Sequence, residues 1–461
     1  MKRKILWLFL SCLMVLTLVA WSCGGTAPAG GEQEEEEEEE ETLPSPAFAQ
    51  DYEGLLPPEL ARDFYPGDLT REELLTYLPQ ARTVTGEVSE SETWEGVIRI
   101  TGDFWIRPEV TLTVKPGTII FISSLSDDQM TGKEAPKDGF NPKKPACDAA
   151  YTQNRVEIQI EGSLTAIGTR DKPIIITSDA VSPRTDDWLG LQFHPGLTGE
   201  LERVIIEYNR ILGISSSQVN IKQTILRNMM EAIVIMGNIE ELLDVSPTIT
   251  QSYIYNIGQT AITVRSGAPT ICHNIIRARQ DYEDLNLPGF EYCGIGIDHP
   301  SKPKIHHNFI EGGPPVPYNE YDRGNYCEFI ESYALVCHAS IASMSINYNT
   351  FYNASRAGLE IFPSPLTIAY NNFIDNKINL VVQESLYEPF DAWQQELFDK
   401  GIIKSLRAEI ISAADNCWGS VSEQEIEKSI QTNGLTEIQF RPFTYSFIEE
   451  ALPNWRKFPW Q

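Results

Sequence analysis

Two stretches of the chain concentrate side chains suited to gripping a sugar. Residues Arg279 to Tyr292 hold Asp281, Tyr282, Glu283, Asp284, Phe290, Glu291 and Tyr292. Residues Gly312 to Tyr333 hold Tyr318, Glu320, Tyr321, Asp322, Arg323, Tyr326, Glu328, Glu331 and Tyr333. Aromatic rings stack on the apolar faces of sugar rings, while carboxylates and guanidinium groups hydrogen-bond the hydroxyls. Tyr282, Asp284, Tyr292, Tyr318, Tyr321, Asp322, Arg323 and Tyr326 are therefore the candidate ligand-binding residues. The alternative is that both stretches merely cover exposed surface.

The same stretches offer carboxylates for catalysis. A glycoside hydrolase needs two of them at a set separation across the scissile bond. A lyase needs a general base. Acidic residues are too plentiful here to single out a pair, so the catalytic positions stay unassigned and the preferred reading is binding without catalysis. Asp127 and Asp128, in the polar loop from Ser123 to Asn154, could take Ca2+, but no spacing there matches a defined calcium loop. No cofactor is assigned. No nucleophile triad, phosphate-cradling glycine loop or dinucleotide fingerprint occurs.

These residues hang on a repeat. From Leu201 onward an apolar residue is followed by a polar one three places on and an apolar one two beyond. The triplets are Leu201/Val204/Ile206, where Val204 fills the polar slot, Ile221/Thr224/Leu226, Ile249/Ser252/Ile254, Ile271/Asn274/Ile276, Ile305/Asn308/Ile310, Ile346/Asn349/Phe351 and Ile368/Asn371/Phe373. The base period is about twenty-two residues, lengthened where the two stretches intervene. A second short run, rich in β-branched residues and alternating with period two, follows most triplets and reads as a strand. If each repeat is one coil of a solenoid, equivalent positions superpose at roughly 4.8 Å. Asn274, Asn308, Asn349 and Asn371 would then form a structural ladder, with asparagine tolerating the left-handed bend. The two insertions, lying at equivalent points of neighbouring coils, must emerge on one edge.

His273, His306 and His307 lie next to the polar slot, so His273 and His307 would stack on adjacent coils. Two imidazoles at roughly 4.8 Å could share a metal. A structural ladder is the preferred reading, and no metal site is assigned.

The chain resembles right-handed parallel β-helix repeat proteins of the pectin-lyase-like fold. The resemblance is carried by the triplets, by Thr101-Gly102-Asp103 and the opening coil Val110 to Gly117, and by Ile158 to Gly168. Lys172 to Ser178, Asp187 to Gly190 and the closing Asn416-Cys417-Trp418-Gly419 extend it. It implies an all-β, single-stranded parallel β-helix with short helical caps, and says little about activity. Pro57 to Arg82, Glu388 to Ala414 and Glu423 to Gln431 have helical composition and read as covers for the solenoid ends.

The N-terminus gives the address. Lys2, Arg3 and Lys4, the apolar run Ile5 to Val19 and then Ala20-Trp21-Ser22-Cys23-Gly24 resemble a bacterial lipoprotein signal. That resemblance implies lipidation at Cys23 and a membrane-anchored, extracytoplasmic protein at the cell surface or in the periplasm. The other reading of the run is an uncleaved anchor. Glu32 and the run Glu34 to Glu41 repel one another and form an extended tether. Beyond Cys12 and Cys23, six of the eight cysteines remain. Three disulfides would fit that compartment, with Cys272–Cys293 and Cys327–Cys337 bracing the insertions, and buried thiols are the alternative.

A net charge of −29 with no basic stripe excludes nucleic acid as a partner. The expected organisation is a signal over 1–23, an acidic tether over 24–56 and an N-terminal helical cap over 57–94. The β-helix follows over 95–420 and a C-terminal cap over 421–461. The expected function is surface binding or display of polysaccharide by a monomer. The alternatives are a polysaccharide lyase or glycoside hydrolase, and a structural or adhesion element with a protein partner.

Overall fold

The computed structural model describes residues 53–60, 64–67, 69–128, 154–216, 218–237, 245–278, 292–297, 301–317, 329–330, 332–337, 344–361, 366–383, 410–432, 434 and 436–454. These residues form a right-handed parallel β-helix. One parallel sheet has 12 strands, and a second has 21 strands folded into two faces. Strand Val97–Ile106 shows the fold between those two faces. Its start pairs with Ile119–Ile122 and its end with Glu157–Ile160. Each coil thus runs through a first face in the 12-stranded sheet, then a second and a third face.

The triplets fall in register. Trp94, Val114, Ala166, Leu201, Ile221, Ile249, Ile271, Ile305, Ile346 and Ile368 are successive partners on the first face. All belong to the main core. The third members, Ile206, Leu226, Ile254, Ile276, Ile310, Phe351 and Phe373, stack likewise on the second face. β-Branched side chains suit this arrangement because each packs on the same side chain one coil above and below.

Between the first and second faces the chain turns in two residues. Thr224, Ser252, Asn274, Asn308, Asn349, Asn371 and Asn416 point inward there, all at 0% exposure. The Nδ2 of Asn274 donates to Oδ1 of Asn308 (3.0 Å), Asn308 to Asn349 (3.0 Å), Asn349 to Asn371 (3.3 Å) and Asn371 to Asn416 (3.0 Å). Each Oδ1 also accepts the backbone N–H of the slot residue one coil earlier, from Ser252 to Asn371. The left-handed residue is not the asparagine, as the sequence suggested, but the one before it. Arg203, Gln223, Gln251, His273, His307, Tyr348, Tyr370 and Asp415 all have φ between 49° and 59°. An L residue pays about 1 kcal/mol for that geometry, and the hydrogen-bonded slot beside it offsets the cost.

The N-terminal segment departs from expectation. Strands Arg82–Val88 and Glu92–Trp94 already belong to the stack, and the described residues between 53 and 80 lie along the flank of the second face instead of over its end. Tyr65 and Leu74 pack on Phe121, Ile175, Ile205, Ile225, Tyr253, Ile275 and Phe309. A helical turn, Arg71–Leu75, is held by a Thr70–Glu73 capping box. Arg71 Nη1 donates to Thr177 Oγ1 (2.7 Å), Tyr65 Oη to Glu207 Oε1 (2.5 Å) and Tyr253 Oη to the Pro58 carbonyl (2.7 Å). The far end of the same face is closed by Phe447, Ile448 and Leu452 against Ile374 and Tyr352.

At the C-terminal end, helix Glu423–Lys428 agrees with its composition, and Ile426 enters the core. Residues Ile410–Ser412, expected to be helical, form a strand on the first face. Trp418 stacks on Phe373 at 4.6 Å. Cys272, Cys293, Cys337 and Cys417 are buried thiols and not half-cystines. The expected bridges Cys272–Cys293 and Cys327–Cys337 are therefore absent, while Cys147 and Cys327 lie outside the described residues. Among the described residues no helix is long and apolar enough to cross a membrane.

Candidate functional site

Two interruptions of the repeat, on adjacent coils, lie at the corner between the second and third faces. On one coil, strand Ile275–Ile276 gives way to the first insertion, which rejoins at Cys293–Ile297. On the next coil, Phe309–Gly313 leads to the second insertion, which rejoins at Tyr333–Cys337. Ile276 pairs with Ile310 before the insertions, and Cys293 pairs with Tyr333 after them. Both insertions therefore leave and re-enter at equivalent positions of adjacent coils. The second leaves as an antiparallel stem, with Val316 opposite Ile330 and Pro317 opposite Phe329.

Of the expected ligand residues, Tyr282, Asp284, Tyr318, Tyr321, Asp322, Arg323 and Tyr326 lie outside the described residues, as does Cys23. Tyr292 requires correction. It is 1% exposed within the main core, and its hydroxyl donates to the Arg277 carbonyl at 3.1 Å. It pins the base of the first insertion and offers no face to a ligand.

Earlier coils fill the same corner with buried acids. Asp127 Oδ1 accepts the Asp103 N–H (3.0 Å), and Asp103 Oδ1 accepts that of Glu157 (2.8 Å). Asp187 Oδ2 accepts the Ser178 hydroxyl (2.5 Å). Burial pushes the Asp187 carboxyl above its ordinary range, and the Ser178 hydroxyl offsets part of that rise. These carboxyls hold bends together, which is how Asp127, a candidate for calcium, is placed.

The described residues between 53 and 80 pack over the second face, and charged groups lie buried beneath them. Glu207 and Arg227, both 0% exposed, pair at 2.7 Å. Burial alone would raise the Glu207 carboxyl, but the Arg227 and Arg71 cations outweigh it and hold it below its usual range. Arg277 pairs with Glu311 at 2.9 Å and donates to the Pro57 carbonyl. Sequence reasoning missed this network. Its signal was present as charged residues, Glu207, Arg227 and Glu311, inside otherwise apolar strand runs.

The first face is open and polar. Asn220, Lys222, Lys304, Ser345, Thr367 and Ser412 are exposed along it. Along its rim, four of the left-handed residues form a column of rings. His273 and His307 lie 4.8 Å apart, His307 and Tyr348 5.0 Å, and Tyr348 and Tyr370 5.0 Å. His306 Nδ1 lies 2.9 Å from His307 Nδ1. Burial, then the neighbouring imidazoles His273 and His306, push His307 down to about 4. His273 is lowered by burial and His306, and His306 by burial and Lys304. Tyr348 and Tyr370, absent from the sequence-based candidates, could have been found from their place immediately before the slot asparagine.

No family model and no curated protein matches the chain. Among solved structures, a mannuronic acid-specific polysaccharide family 6 lyase from human gut microbiota is similar over 76% of this chain and 85% of that chain. The identity is 10% and the TM-score 0.19. The overlap is too slight for residues to be matched between the two.

Proposed function

We propose that the protein is a polysaccharide-binding β-helix, tethered outside the cytoplasm through a lipid on Cys23, which binds without catalysis and acts as a monomer. One observation carries the reading. The strand register brings the described ends of two insertions with tyrosine- and acid-rich sequences, Ile276/Cys293 and Ile310/Tyr333, to the same corner of adjacent coils, which supports it. Side chains from both then serve one extended ligand, with tyrosines for sugar faces and Asp284, Asp322 and Arg323 for hydroxyls. The described parts of the terminal segments pack on the second face and not on the first.

The test is a panel of plant, algal and bacterial polysaccharides, read for retention and for release of reducing or unsaturated ends. Retention without products is expected, lost when Tyr282, Tyr321 and Tyr326 are changed together to alanine. Product release would make the protein a hydrolase or lyase and direct attention to the carboxylates of the insertions. For the tether, Cys23→Ser is expected to move the protein from the membrane fraction to the soluble one. Retention in the membrane would point to an uncleaved anchor.

A further inference from the structure

We propose that Cys272, His273 and His306 form a binding site for a zinc-type transition-metal ion on the open first face. The Sγ of Cys272 and one ring nitrogen from each histidine lie within 4.8 Å of one another. The site is built by register. Cys272 and His306 are direct partners in adjacent strands, on the outward row of the sheet. His273 would ordinarily alternate to the other side, but its left-handed backbone (φ 58°) breaks the alternation and returns its ring to the same rim. His307, left-handed as well (φ 57°), stacks on His273 at 4.8 Å and meets His306 through Nδ1, beside the three.

The donor set selects the metal class. One thiolate and two imidazoles suit zinc, whose protein sites use sulfur and nitrogen and leave a fourth position for water or a further imidazole. Calcium and magnesium need oxygen ligands, which this cluster lacks. Cys272 is not half of a disulfide, and among the described residues its Sγ has a long contact to Thr250 Oγ1 (3.6 Å). Binding exchanges the thiol proton for the metal, releasing one proton to solvent and forming one metal–sulfur bond, with no redox change. Among the described residues this is the one cluster of three such ligands. Its position has a mechanical consequence. The ion joins the two coils from which the insertions emerge, because Cys272 and His273 precede the first and His306 precedes the second.

The test uses the metal-free full chain titrated with Co2+ as a probe for zinc. The expected result is one equivalent bound, with a thiolate-to-cobalt charge-transfer band that Zn2+ abolishes. The band should vanish in Cys272→Ser, and affinity should fall at least about tenfold in His273→Ala and in His306→Ala. A His194→Ala control should bind as the parent does. The Glu34 to Glu41 run can hold cobalt weakly but cannot give a thiolate band. Absence of stoichiometric binding, or a band that survives Cys272→Ser, overturns the proposal. Should Cys272→Ser fail to fold, the two partly exposed histidine variants decide it: unchanged affinity in both overturns the site.

Discussion

Asn308 is wholly buried, yet its side chain donates to Asn349 and to the Ile271 and His306 carbonyls and accepts the Asn274 N–H. Removing it strands donors and acceptors on two coils. Asn308→Ala should therefore cost about 2–4 kcal/mol in thermal or denaturant unfolding, and a loss below about 1 kcal/mol would contradict the ladder's role. Asn308→Thr should cost less, since Thr224 fills the same slot. Glu207 supplies a pH prediction. Its carboxyl is held below the ordinary range, so the unfolded chain takes up its proton first as pH falls. The stability it contributes is fully present above the usual carboxylate range and is lost as pH drops through its folded value. Glu207→Gln should flatten the acid side of the stability profile, and an unchanged profile would show that the pair does not act in folding. The asparagine slots were legible because polar residues recur at one offset inside apolar triplets. The left-handed positions were not, because His, Tyr and Gln carry no compositional sign of positive φ. Tyr292 was misassigned because an insertion's boundary cannot be told from its tip by residue type.

At the scale of elements, the segment over residues 53–80 decides which face is available. Its composition announced helix, and a short helical turn does form. Its placement along a flank depended on contacts such as Tyr65 with Glu207, 142 residues apart, which no local pattern encodes. Leu74, 0% exposed against the second face, is its apolar anchor. Leu74→Ala should destabilise the fold by about 2–4 kcal/mol in denaturant unfolding. It should also raise binding of a hydrophobic dye to the uncovered Ile175, Ile205 and Ile225. No change in either reading would mean that the segment is not needed to seal the face. The insertions, in contrast, should be separable from stability. Alanine at Tyr282, Tyr321 and Tyr326 should leave the melting temperature unchanged while lowering glycan retention at least about tenfold.

At the largest scale the described residues form a stack in which each coil touches its neighbours, so the fold was the most legible property of the sequence. A period of about twenty-two residues, with one offset between slots, admits few architectures. Activity was the least legible, because the repeat specifies a scaffold and the chemistry sits in what interrupts it. The Cys272 cluster illustrates the gap. Its members are adjacent only once Cys272 and His306, 34 residues apart, are brought into register. The most direct test of the binding account is the polysaccharide panel on the parent chain and on the triple tyrosine variant, scored for retention and for new chain ends. The account predicts retention of at least one polysaccharide by the parent without products, and its loss in the variant. Equal retention by both would contradict it, as would failure of the parent to retain any.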